Sequence, residues 1–311
     1  MNVQWQGIFP AVTTKFTEYD ELDLWWFNKN ITAQLEAGVN GIILGGTLGE
    51  ASTLNDREKF ELIRHTVEVV SDRVPVVINI AEQSTNTAIQ AIKRAEDAGA
   101  SGLMILPPMR YRATDAETLR YLKTLARNTN LPIMIYNNPV DYNIEVSLDM
   151  FDELAEEDNV QAVKESTRDV SNVTRMLNRF GDRFKILSGV DTLALESLKM
   201  GAHGWVAGLV CAFPRETVAI YNLHKAGLDK EATEIYRWFL PLLELDITPQ
   251  LVQNIKLAES LVGLGTEYVR LPRMPLSGTE RERVKTIIDE AILTRPLLPD
   301  HQERFNTANA L

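Results

Sequence analysis

Eight short aliphatic runs, each followed by a stretch with helical periodicity, recur along the chain at intervals of roughly 20 to 34 residues. They fall near 7–13, 41–45, 74–80, 102–106, 131–136, 160–165, 184–188 and 204–207. They are rich in Val, Ile and Leu, and most are bounded by Gly or Pro. Strands buried on both faces read this way. The stretches between them are amphipathic. Glu58-Lys59-Phe60-Glu61-Leu62-Ile63-Arg64 has apolar residues at helical spacing. Another helix is predicted from an N-cap at Ser84 through Ala98 to a stop on Gly99. Glu96-Asp97-Ala98-Gly99-Ala100-Ser101-Gly102 repeats the pattern of Glu36-Ala37-Gly38-Val39-Asn40-Gly41: a helix ends on glycine and the next strand begins. Eight such units predict a parallel sheet closed into an α/β (β/α)₈ TIM barrel. A doubly wound open sheet is the alternative, but the even spacing leaves no obvious second domain. Beyond the eighth strand, 216–227, 230–245, 250–261 and 279–293 read as helices, three more than the last unit needs. The expected organisation is a catalytic barrel over 1–227 and a C-terminal helical extension over 228–311 packed on it. The polar last segment, 299–311, is expected to be loose.

A barrel needs a large core, and 45% hydrophobic residues in a chain of 311 can supply one. The formal charge of −11 repels phosphate backbones and argues against nucleic-acid partners. The single cysteine, Cys211, allows no intrachain disulfide and fits a reducing, cytoplasmic setting; it reads as a core or surface thiol. The N-terminus has no basic and apolar leader pattern, and no apolar run approaches the ~18 residues of a membrane span. The histidines, His65, His203, His224 and His301, lack ligand spacing, so no metal is expected. No Walker loop occurs, and Glu280-Arg281-Glu282-Arg283 reads as a solvated helix face.

In such a barrel the active site lies at the C-terminal ends of the strands. Polar residues collect there: Gly45-Gly46-Thr47-Leu48-Gly49-Glu50 after the second strand, Pro107-Pro108-Met109-Arg110 after the fourth, Tyr136-Asn137-Asn138-Pro139 at the fifth, Lys164-Glu165-Ser166 at the sixth and Ser188-Gly189-Val190-Asp191 at the seventh. Lys164 follows Val160-Gln161-Ala162-Val163 on a buried strand. Burial favours the neutral amine, the nucleophile that imine formation needs; a lysine at a strand end can also simply snorkel to water. Tyr136 ends the preceding strand and can face Lys164 as a proton shuttle, or cap the core as an aromatic. The glycine-rich turn offers backbone N–H groups to a carboxylate. Thr47 adds a hydroxyl there, or caps a helix.

Together these motifs resemble the dihydrodipicolinate synthase / N-acetylneuraminate lyase superfamily over about 7–296. The resemblance implies class I aldolase-type chemistry without cofactors, usually in homotetramers. Lys164 becomes the Schiff-base lysine and Tyr136 the proton shuttle, while Thr47 and amides near Leu48 hold the substrate carboxylate. Gly46, Leu48, Arg110, Asn138, Asp141, Ser188, Gly189 and Val206 are the other expected substrate contacts. Three positions depart from dihydrodipicolinate synthase itself. Leu48 replaces the second hydroxyl of the turn. Arg110, with Tyr111 adjacent, falls where that enzyme has a tyrosine that crosses a subunit interface. Asp141 stands in place of the arginine that holds the second substrate's carboxylate.

With Gly46-Thr47-Leu48-Gly49-Glu50, Leu106-Pro107-Pro108-Met109, Tyr136-Asn137-Asn138-Pro139 and the run from Trp205 to Pro214, the chain looks closer to Δ1-pyrroline-4-hydroxy-2-carboxylate deaminases of hydroxyproline breakdown. The implied function is conversion of that cyclic imine to 2,5-dioxopentanoate and ammonia. The alternatives are 4-hydroxy-tetrahydrodipicolinate synthase or another 2-oxo acid aldolase, and, from other classes, a non-catalytic 2-oxo acid sensor or a metal-dependent barrel hydrolase. The expected partner is a small 2-oxo acid or imine carboxylate.

Overall fold

The computed structural model describes residues 3–109 and 111–299. In chain order its elements are β1 (Gly7–Pro10), α1 (Leu24–Ala37), β2 (Ile42–Leu44), α2 (Asp56–Val70), β3 (Val76–Ile80), α3 (Thr85–Asp97), β4 (Gly102–Ile105), α4 (Asp115–Ala126), β5 (Ile133–Asn137), α5 (Pro139–Tyr142), α6 (Leu148–Leu154), β6 (Val160–Glu165), α7 (Ser171–Phe180), β7 (Lys185–Ser188), α8 (Ala194–Lys199), β8 (Gly204–Ala207), α9 (Pro214–Lys225), α10 (Asp229–Leu243), α11 (Leu251–Leu261) and α12 (Gly278–Leu293). All the strand pairs are parallel, in the order β1-β8-β7-β6-β5-β4-β3-β2. The remaining gap closes through a parallel bridge between Ala11 and Ile43, with Val12 N–H donating to the Ile43 carbonyl at 3.0 Å. The protein is a (β/α)₈ barrel, and the open-sheet alternative is excluded by this closure. Among the described residues no helix is long and apolar enough to cross a membrane.

The local reasons for these elements are in the sequence. Ser84 caps α3, its side chain accepting from Thr87 N–H. Asn55/Glu58 and Thr114/Glu117 form reciprocal capping boxes at the starts of α2 and α4. The helix stops differ slightly from expectation: α1 ends on Gly38 at φ +89°, but α3 is capped by Ala98, with Gly99 following at φ +90°. In both cases glycine takes the left-handed turn that aims the chain at the next strand. The first strand was expected to run to Thr13 and stops at Pro10. Pro10 has no N–H to extend the ladder, and beyond it the chain passes from β8 to the bridge with β2.

After α9 the chain returns over the barrel. α10 packs on α9, and α12 packs on both α10 and α11. A short 3₁₀ turn, Glu244–Ile247, sits against the turn Asp191–Leu193 that follows β7. Two buried ion pairs fasten α11 to the barrel mouth. Lys256 Nζ lies 2.5 Å from Glu50 Oε1, and Lys15 Nζ lies 2.7 Å from Glu259 Oε1. Glu50 also accepts from Arg270 N–H at 3.0 Å, and Thr13 donates to Glu259 at 2.8 Å. Such pairs add little net stability over an apolar packing, but removing one partner strands a buried charge. Lys256→Met is therefore expected to cost about 3 kcal/mol of unfolding free energy, measured by urea denaturation.

Candidate active site

Strand alternation decides which side chains meet. On β5 and β6, Tyr136 pairs in register with Lys164, so both point to the barrel interior. The chain continues from Leu187, opposite Lys164, to Gly189 two residues on, which lies on the same side. Together they line a cavity of about 380 Å³ at the C-terminal ends of the strands. Gly46, Thr47, Leu48, Asn138, Asp141 and Val206 line it too.

Ser188 does not. It pairs with Glu165, one residue out of phase with Lys164, and its hydroxyl turns away from the cavity toward the Val190 carbonyl at 3.5 Å. The period of two puts neighbours in sequence on opposite faces. Arg110 lies outside the described residues. Tyr111 is 55% exposed and does not line this cavity.

Lys164 is buried, and what its amine meets is the face of Tyr136, Nζ lying 4.0 Å from the ring centroid. Burial lowers its pKa; the nearby acidic groups Tyr142, Asp246, Asp191 and Asp141 oppose this without reversing it. A cation over a tyrosine ring gains only ~0.5–2 kcal/mol, so desolvation decides the direction. Gly189 provides the room: a Cβ there would lie 2.1 Å from Ser166 Oγ and 2.7 Å from Lys164 Cγ.

Burial pushes the Tyr136 phenol up to about 12. Asn138 Nδ2 donates to its oxygen at 3.1 Å, which leaves the phenolic hydrogen to point elsewhere. Asn138 also donates to Asp141 Oδ2 at 2.7 Å and caps α5 by accepting from Asp141 N–H. The four-residue helix α5 begins at Pro139, as a proline at the first helical position favours. It carries Tyr142 back over the mouth, where its hydroxyl lies 3.0 Å from Thr47 Oγ1. The Tyr136 and Tyr142 rings meet edge to face at 5.7 Å. Burial raises the Tyr142 phenol to about 12 as well.

Four polar wall residues were not anticipated from the sequence: Tyr142, Arg168, Asp246 and Thr248. Tyr142 stands one residue beyond Asp141, where only the Tyr-Asn-x-Pro motif hinted at a cap. Arg168, at φ +63°, reaches Asp141 at 3.5 Å across the mouth. The acid at position 141 thus faces a cation from another loop. Asp246 comes from the 3₁₀ turn of the C-terminal extension, and no motif marks it.

Asp191 and Asp246 flank Gly208. Asp191 accepts from Trp205 Nε1 at 2.8 Å, Gly208 N–H at 3.1 Å and Leu209 N–H at 2.9 Å. Among the described residues, Oδ1 of Asp246 has no hydrogen-bond partner. Burial raises both carboxyls. The three donors favour the charged form of Asp191, and its charge adds to burial in pushing the Asp246 carboxyl well above the ordinary carboxylate range. Cys211 is buried away from the cavity, and burial pushes its thiol up.

A sequence model of the dihydrodipicolinate synthetase family matches residues 4–291. The chain belongs to this family. It is 30% identical over 286 residues to the 4-hydroxy-tetrahydrodipicolinate synthase of Methanococcoides burtonii, covering 92% of this chain and 98% of that one. Among solved structures, it superposes with a TM-score of 0.89 at 26% identity on a chloride-inhibited dihydrodipicolinate synthase of Acinetobacter baumannii complexed with pyruvate, covering 93% of this chain and 99% of that one. A monomeric dihydrodipicolinate synthase variant matches with a TM-score of 0.88 at 27% identity, covering 93% and 97% of the two chains. This family member is accordingly a lyase of the dihydrodipicolinate synthase type.

The close fit at Gly189 makes the lysine's placement testable. Gly189→Ala is expected to displace the Lys164 stem and slow borohydride trapping of pyruvate at that residue by about 10²-fold. Mass spectrometry of the reduced adduct reads this out, with circular dichroism confirming the fold.

Proposed function

We propose that Lys164 forms a Schiff base with a small 2-oxo acid or cyclic imine carboxylate. The observation that carries this reading is a buried amine, lowered in pKa, held against Tyr136 in the barrel's mouth cavity. The neutral amine attacks the 2-carbon. Tyr136 moves protons between amine and departing oxygen or nitrogen. Thr47 and the backbone amides near Leu48 receive the substrate carboxylate. Tyr142, hydrogen-bonded to Thr47, supplies a second phenol from the same chain.

Within that chemistry we assign Δ1-pyrroline-4-hydroxy-2-carboxylate as substrate, deaminated to 2,5-dioxopentanoate and ammonia. Attack on C2 opens the ring and leaves the nitrogen as a free amine on C5. Loss of a C3 proton and the C4 hydroxyl leaves a C3–C4 double bond. Moving a proton from C5 to C3 and an amine proton to C4 then converts the C5 amine to an imine, and hydrolysis of both imines follows. The support is the mouth chemistry: Leu48 contributes no hydroxyl, and Asp141 presents an acid, already paired with Arg168, where a second carboxylate substrate would need a cation. The second reading is 4-hydroxy-tetrahydrodipicolinate synthase, and the names of the similar proteins favour it over the deaminase. A homotetramer belongs to the same proposal and is checked by light scattering; one solved relative is a monomeric variant.

Borohydride with pyruvate is expected to modify Lys164 alone. The trapping rate should rise with pH and level off below the ordinary lysine range, because a lowered pKa delivers the neutral amine at lower pH. Incubation with Δ1-pyrroline-4-hydroxy-2-carboxylate should release ammonia and 2,5-dioxopentanoate. Condensation of pyruvate with aspartate semialdehyde instead would establish the synthase. Tyr142→Phe is expected to lower kcat roughly 10²-fold, while urea denaturation shifts by no more than about 1 kcal/mol.

A further inference from the structure

We propose that Asp246, brought to the cavity by the C-terminal extension, is the general acid that expels the C4 hydroxyl from the Lys164-bound intermediate, which makes the site one for 2-oxo acid derivatives carrying a hydroxyl two carbons from the imine. The inference rests on the deaminase reading and deepens it.

The position is the first ground. Asp246 lines the same cavity as Lys164 and Tyr136. Its carboxyl lies over the end of β8, where a Cβ on Gly208 would come within 2.8 Å of Oδ1. The second ground is its lack of a structural task. Asp191, on the other side of Gly208, ties down the Gly208 and Leu209 amides and the Trp205 indole, whereas Oδ1 of Asp246 has no partner. A carboxyl held at a cavity wall without a partner costs free energy that a purely structural role would not repay. The third ground is its protonation. The charged and titratable groups that face it are Asp191 from the turn after β7, Lys164 from β6, Asp141 from α5, Tyr136 from β5 and Cys211 from the turn after β8. Burial and the Asp191 charge favour the acid form, and the lysine alone opposes them. With Lys164 neutral, as the free amine or as an imine, that opposition falls away.

Removal of a C3 proton from the imine leaves an enamine. Its electron pair forms the C3–C4 double bond as the C4–O bond breaks. The Asp246 proton passes to the departing oxygen, which leaves as water. The carboxylate then takes a proton from C5 and returns to the acid, the proton first removed goes back to C3, and an amine proton moves to C4, so that the C5 amine becomes an imine. Hydrolysis there releases ammonia.

The test is Asp246→Asn, which keeps the shape of the side chain and removes its proton transfer. The variant should still add the pyruvate mass at Lys164 on borohydride reduction, which also reports that the cavity is folded. Its kcat for ammonia release should fall about 10³-fold with KM little changed. Asp246→Glu should recover part of the turnover. In the parent enzyme kcat should fall as pH rises through the raised carboxyl pKa, and Asp246→Asn should lose that limb. An Asp246→Asn enzyme that releases ammonia as fast as the parent overturns the assignment while the deaminase reading stands. If Asp246→Asn does not fold, a parent kcat that shows no such fall with pH overturns it. A parent that condenses pyruvate with aspartate semialdehyde and releases no ammonia overturns both.

Discussion

Lys164 carries its amine into the barrel on β6, where the ladder leaves it opposite Tyr136 and beside Gly189. Taking an ammonium out of water is costly, and the interior offers it an aromatic face in place of a tight carboxylate pair. The chain resolves the cost by favouring the neutral amine. The surrounding arrangement follows from that choice. The acids near the lysine are held at a remove by other tasks: Asp191 is occupied by three N–H donors, and Asp141 by Asn138 and Arg168. Had either carboxylate closed on Nζ, the lysine would be a charged structural residue.

The C-terminal helices matter to the site as much as the barrel does. Lys256–Glu50 ties α11 to the glycine-rich turn that carries Thr47, and Lys15–Glu259 ties it to the segment that follows the first strand. Glu50 belongs to the motif that suggested substrate binding, yet its own carboxylate is fully buried in this fastening. The motif therefore combines two jobs: the front of the turn faces the cavity and its last residue anchors the extension. The same fastening places the Glu244–Ile247 turn over β8 and so delivers Asp246.

Much of this was legible in the chain before any coordinates. The eight aliphatic runs announce parallel strands because burial on both faces leaves no alternation to disguise them. Ser84 and Gly38 mark helix ends because capping chemistry is local. Lys164 stood out because a lysine ending an apolar strand conflicts with its neighbours, and Tyr136 because it ends the adjacent one. Ser188 was assigned to the cavity from its place in a motif, and the period of two turned it away.

The order of strands and helices, the barrel class and the place of Lys164 at the end of a buried strand were determined by the sequence alone, through periodicity and local capping. Tertiary structure decided what that lysine lies among. Tyr142, Arg168 and Asp246 reach the cavity from a four-residue helix, a left-handed loop residue and a turn 82 positions beyond Lys164. No local pattern marks them, because a side chain's role at a barrel mouth depends on which loops closure brings together. That convergence also separates two chemically identical groups: three amide and indole donors hold one aspartate, while an oxygen of the other has no partner among the described residues.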